Sequence, residues 1–125
     1  MATYVSLMRF TEQGAKSIGD TRRRAGAFRE AAQNAGVTVR DIYWTLGAYD
    51  GLLVLEAPDE ESITSVMAGL GALGNVRTQT MRAFDESEIG GILERARTGG
   101  GQAAGGGTER SGAAGGPSNR GRRGK

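Results

Sequence analysis

From Thr3 to Phe10 the chain alternates in the manner of a strand, with Tyr4, Met8 and Phe10 on one side and Val5 and Leu7 on the other. Thr11-Glu12-Gln13-Gly14 breaks that pattern and opens a polar approach. Asp20 or Thr21 can cap a helix through Ala35, with Ala25, Phe28, Ala31, Ala32 and Ala35 on one stripe and Gly36 as its stop. Val37 to Leu46 and Gly51 to Ala57 read as two further strands joined by a turn around Gly47–Asp50. Pro58-Asp59-Glu60-Glu61 then opens a second helix, with Asp59 as N-cap and acids in the first turn. Ile63, Val66, Met67 and Leu70 follow at the spacing of one buried face, and Gly69, Gly71 and Gly74 end the helix. Val76 to Phe84 is a fourth strand, and Asp85 to Arg97 a terminal helix with Ile89, Ile92 and Leu93 apolar.

The order βαββαβ predicts an α+β, ferredoxin-like fold: a four-stranded antiparallel sheet with both helices on one face, plus a C-terminal helix. The sheet pattern adds a constraint. Leu52 and Val54 alternate with Leu53 and Leu55, so the third strand is apolar on both sides. Strict alternation in the second strand puts Val37, Val39 and Tyr43 on one face and Ile42, Trp44 and Leu46 on the other. An antiparallel sheet wet on one side alternates apolar with polar; this one does not. The expected cover for the second face is another copy of the sheet, packed face to face in a twofold dimer.

Composition shortens the foldable part. Residues 98–125 hold 11 glycines and no aromatic, Leu, Ile, Val or Met, too little apolar surface to offset the entropy of ordering. The expectation is a domain over 1–97 and a Gly-rich, basic, disordered tail over 98–125. The tail carries +4 of charge and the rest −2, so the net +2 says nothing of a basic face on the domain. There is no Cys and no His, which removes thiolate nucleophiles, disulfides, the usual zinc sites and the common general base. No acidic cluster has metal-loop spacing. No cofactor is expected. With no signal-like start and no apolar run of membrane-spanning length, no membrane association is expected either, and a cytoplasmic location follows.

Tyr43-Trp44-Thr45-Leu46-Gly47-Ala48-Tyr49-Asp50, Glu56-Ala57-Pro58-Asp59, Gly74-Asn75-Val76-Arg77-Thr78 and Arg82-Ala83-Phe84 occur in that order. With the Tyr4-Val5 strand and Phe10-Thr11-Glu12-Gln13-Gly14, they resemble the GYD-domain family, named for the element seen here as Gly47-Ala48-Tyr49-Asp50. The likeness spans about residues 2–94. It implies the dimeric α/β-barrel class of ferredoxin-like folds and no assigned activity. Relatives by fold include cofactor-independent monooxygenases, haem-degrading enzymes, isomerising enzymes and ligand-sensing domains, a breadth that singles out no chemistry. A chain without His does not suit haem degradation through a proximal His.

Each candidate residue has a structural and a functional reading. Asp50 can bond backbone within its turn or act as a carboxylate base, and Tyr49 can donate into a pocket. Trp44 is core or the wall of a pocket between sheet and helix. Tyr43, on the opposite face, points toward the dimer interior. Arg77 and Arg82 need a carboxylate, with Glu56 or Asp41 as the structural choice, or an anionic ligand. Asn75 serves the loop before the fourth strand or touches a ligand. Arg22-Arg23-Arg24 reads as a solvated helix face. Gly69-Leu70-Gly71-Ala72-Leu73-Gly74 follows a helix and precedes a strand, the reverse of a phosphate-loop order.

The leading expectation is a ligand-binding or structural interaction module, a homodimer or higher homo-oligomer with a small organic ligand. Trp44, Asn75, Arg77 and Arg82 are its ligand-binding candidates. One alternative is a cofactor-independent enzyme, monooxygenase- or isomerase-like, with Tyr43, Tyr49, Asp50 and Arg77 as catalytic candidates. The other is weak nucleic-acid binding through Arg120-Gly121-Arg122-Arg123-Gly124-Lys125. With five positive charges and no aromatic in the tail, a solvated appendage is the preferred reading.

Overall fold

A computed structural model describes residues 1–100. The unit Met1–Ala83 contains β1 (Ala2–Phe10), α1 (Glu12–Lys16), a 3-10 turn (Ile18–Asp20), α2 (Thr21–Asn34), β2 (Thr38–Trp44), β3 (Gly51–Ala57), α3 (Glu60–Ala72) and β4 (Val76–Ala83). The strands form one four-stranded antiparallel sheet in the order β2-β3-β1-β4. This is the ferredoxin-like arrangement, built as the element order requires.

Register decides which side chains meet the helices. Tyr4 pairs with Leu55 and Ser6 with Leu53, and all four are buried. With Val37, Val39 and Ala57 they pack against Phe28 and Ala32 of α2 and Ile63 and Met67 of α3. Ser6 is fully buried, and its hydroxyl is satisfied at 2.9 Å by that of Thr80 on β4. Gly51 lies opposite Met8, whose side chain fills the space a Cβ would take.

β2 departs from strict alternation. Its pairing slips between Val39 and Asp41, a bulge at Arg40 that adds one residue to the strand. One extra residue exchanges the faces of everything beyond it. Val39 therefore pairs with Leu55, and Ile42 with Leu53, both on the helix-covered face. The expected grouping of Val37 and Val39 with Tyr43, against Ile42 and Trp44, is corrected: Val37, Val39, Ile42 and Trp44 share one face, and Tyr43 takes the other.

The helix boundaries follow local chemistry. Asp59 caps α3 by accepting from the Ser62 N–H at 2.8 Å. Gly36 and Gly74 take positive φ (+83° and +85°) just past α2 and α3, where a left-handed residue stops a helix. Gly69 and Gly71, expected to help end α3, lie inside it, because apolar contacts from Ile63 to Leu70 outweigh their low propensity. The polar approach after β1 is also more ordered than expected. Thr11 N-caps the short α1 through the Gly14 N–H at 3.1 Å, and Asp20, at the α2 N-cap position, makes no side-chain cap.

A second unit begins at Phe84 and contains α4 (Glu86–Arg95), started by a capping box between Asp85 and Glu88 and followed by a π-helical turn over Ala96–Gly100. The expected tail lies outside the described residues from 101 onward. Among the described residues no helix is long and apolar enough to cross a membrane.

Candidate functional site

The two faces of the sheet carry two different sites. On the face away from α2 and α3, pairing brings Val5 and Leu7 of β1 beside Leu52 and Val54 of β3, with Tyr43 and Met81 at the flanks. Tyr43 is 57% exposed and Met81 40%. The other four are half-buried in the flat of the sheet. The result is an apolar patch on the outer face of this unit.

The β2–β3 hairpin builds a polar corner on that patch. Gly47 takes φ +112°, while the Thr45 N–H and hydroxyl close the loop on the carbonyls of Asp50 and Tyr49 at 2.9 and 2.6 Å. Tyr49 reaches across the sheet, so that its hydroxyl donates to the Gln79 Oε1 on β4 at 3.0 Å. The Arg9 guanidinium lies 4.8 Å from the centre of its ring, a cation–π contact. Arg77 pairs directly with Arg9 across β1 and β4, is exposed, and has no carboxylate partner among the described residues. Like charges at paired positions repel, so this corner attracts acidic groups.

The Asp50 side chain does not bond within its turn. Its carboxylate accepts from the Phe10 N–H at 2.8 Å, tying the hairpin to the end of β1. Its own N–H donates to the Met8 carbonyl at 2.8 Å. Tyr49, Asp50 and Arg77 therefore converge, with Tyr43 opposite Leu52 on the same face. Arg9 and Gln79 belong with them and were not singled out in the sequence. Arg9 continues the Val5–Leu7 alternation, and that signal was readable.

Arg82 is separate. It lies on the opposite face from Arg77, 5.8 Å over the Tyr4 ring, and donates to the carbonyls of Thr3 and Ala83. The expected ion pairs of Arg77 or Arg82 with Glu56 or Asp41 are not formed among the described contacts. Glu56 is paired at 3.0 Å with Arg40, which the bulge places beside it.

Between the helices and the sheet lies a groove of about 790 Å³. Met8, Ile42 and Leu53 form its floor, and Phe28, Val66 and Leu70 its sides. Trp44 stands at its edge, 46% exposed, its indole N–H donating to the Thr21 hydroxyl at 3.0 Å. Trp44 is thus a pocket wall rather than core. Asn75 also lines the groove and holds the neighbouring loop, with its carbonyl accepting the Thr11 N–H at 3.0 Å and its side chain the Gln13 amide at 2.9 Å.

A family model described as the GYD domain matches residues 4–93. The chain belongs to the GYD-domain family. The match spans the hairpin corner, both helices bordering the groove and most of α4. A Thermus thermophilus protein described as a glutamine synthetase and cystathionine beta-lyase binding protein is 30% identical to this GYD protein over 90 residues. That alignment covers 71% of this chain and 95% of the relative. The crystal structure of TTHA0845, also from Thermus thermophilus, is 28% identical, with a TM-score of 0.46, over 68% of this chain and 95% of that one. The crystal structure of MtbAldR is 21% identical, with a TM-score of 0.52, over 68% of this chain and 52% of that one, a likeness of fold.

Proposed function

We propose that this GYD domain is a cytoplasmic, non-catalytic binding module that assembles through the outer face of its sheet, first with a second copy of itself. The observation that supports the reading is the patch of Val5, Leu7, Leu52 and Val54 flanked by Tyr43 and Met81. A buried apolar side chain of this size contributes about 1.5–3 kcal/mol, and a face-to-face pair removes two such patches from water. Rims of interfaces are polar, and here Arg9, Arg77 and Gln79 supply one corner and the Arg40–Glu56 pair the diagonally opposite one.

The relative described as binding glutamine synthetase and cystathionine β-lyase favours protein partners over turnover. An acid patch on such an enzyme, or on the second copy, would suit the Arg9–Arg77 corner. The catalytic alternative fares less well. Asp50 is occupied by the Phe10 N–H and Tyr49 by Gln79, on a surface that encloses no substrate.

Light scattering coupled to size exclusion tests the reading with Val54→Lys, a change on the outer face of a central strand. The expected result is a dimer for the wild type and a folded monomer for the variant. A folded variant that stays dimeric would remove this face as the assembly surface.

A further inference from the structure

The groove between α2 and α3 has no part in assembly through the other face, yet it is an open concavity of about 790 Å³. Its origin is visible in the sequence of its walls. α2 turns Ala25, Ala31 and Ala35 toward it and α3 turns Gly69, so the facing helices supply little to fill the space. A Cβ built on Gly69 meets nothing within 4 Å. Packed interiors do not leave apolar gaps of this kind, and about 300–1,000 Å³ is the usual size of a small-molecule site.

The polar groups gather at one end. Arg24 is half-buried there and donates to the Ser17 carbonyl and hydroxyl, each at 3.0 Å, and to the Gly14 carbonyl at 3.4 Å. All three acceptors are neutral, so the guanidinium is fixed in place with its charge uncompensated. Asp20, at the same end, is taken up by Arg23 at 3.4 Å. The indole of Trp44, held by Thr21, borders the opening. The mouth therefore offers one immobilised positive charge with donors to spare, above a long apolar floor. A guanidinium so placed binds a carboxylate by charge-assisted hydrogen bonds. The other guanidinium lining the groove, Arg23, is already engaged by Asp20, so a polyanion would find no second unpaired cation there among the described residues.

We infer that this groove binds a small organic monocarboxylate, with its apolar body along Met8, Ile42 and Leu53 and its carboxylate at Arg24. Trp44, the single Trp of the chain, reports on binding directly.

The test is a titration of the full chain with decanoate and with decanol, below micelle-forming concentration, read by tryptophan fluorescence. Decanoate is expected to give a saturable change at roughly tenfold lower concentration than decanol, the worth of one charge-assisted contact. Gly69→Leu, which fills the groove from an open helical position, is expected to abolish both responses. Arg24→Met is expected to bring decanoate to the level of decanol. No saturable change with either probe would overturn the site, as would a folded Gly69→Leu that binds like the wild type. Equal wild-type response to the two probes would overturn the carboxylate assignment even if Arg24→Met failed to fold.

Discussion

The carboxylate of Asp50 accepts the backbone N–H of Phe10 at 2.8 Å, a contact between residues 40 apart in the chain. It fixes the hairpin that carries Tyr49 to the end of a central strand, and so sets where the Tyr49 ring lies beneath Arg9. A charged acceptor on a part-buried N–H is worth about 1.5–3 kcal/mol. Asp50→Ala should cost that much in denaturant unfolding. Asp50→Asn, which keeps an acceptor oxygen, should cost less. Equal, negligible losses would show that the hairpin is held by its other bonds.

Gly14 is the point of closest approach between α1 and the loop before β4. A Cβ there would fall inside contact distance of the Asn75 carbonyl oxygen, which already accepts the Thr11 N–H. The neighbour is backbone and cannot swing away. Gly14→Ala should therefore destabilise by about 1–3 kcal/mol, despite the better helix propensity of Ala. A variant as stable as the wild type, measured by thermal unfolding, would contradict this packing.

Acid should weaken the start of α3. The Asp59 carboxyl is held below the usual carboxylate range, first by the Ser62 side chain and then by the Ser62 backbone N–H, with partial opposition from burial. A carboxyl lowered in the folded state contributes stability above its unfolded pKa and loses it as pH falls through the folded one. The melting-temperature advantage of wild type over Asp59→Asn should therefore be full near neutrality and shrink below the ordinary carboxylate range. An advantage that grows on acidification would reverse the assignment.

Deleting residues 98–125 should leave melting temperature and oligomeric state unchanged, because that segment has no large apolar side chain to add to a core. Loss of the dimer on truncation would place part of the assembly surface beyond Arg97.

The fold was legible because its strands, caps and stops are written locally. Asp59 and Asp85 are cap residues at the ends of turns, and Gly36, Gly47 and Gly74 stand where positive φ is needed. The two-sided apolar pattern of β3 showed that both faces of the sheet are apolar, but not which of Leu52 and Leu53 lies under the helices. The bulge at Arg40 was not legible, since nothing in Thr38–Trp44 distinguishes a seven-residue run in register from one carrying an extra residue. Misplacing it put Val39 and Tyr43 on one face. α1 was missed because five residues containing Gly14 make too short a period to read. Of the site, Tyr49, Asp50 and Arg77 were seen singly. Their meeting at one corner depends on β4 lying next to β1, with Arg9 opposite Arg77, which is tertiary information. The groove was foreshadowed only by Trp44 as a possible pocket wall; its extent was not legible, because that depends on small residues, Ala31 and Gly69 among them, meeting across two helices.

Assembly as proposed needs a second copy over the outer sheet face. Sedimentation equilibrium of the wild-type chain, from about 1 to 100 μM so as to bracket a micromolar Kd, tests this most directly. A single species of twice the chain mass of 13.0 kDa is expected through most of that range. A mass that stays at one chain at the highest concentration would contradict it.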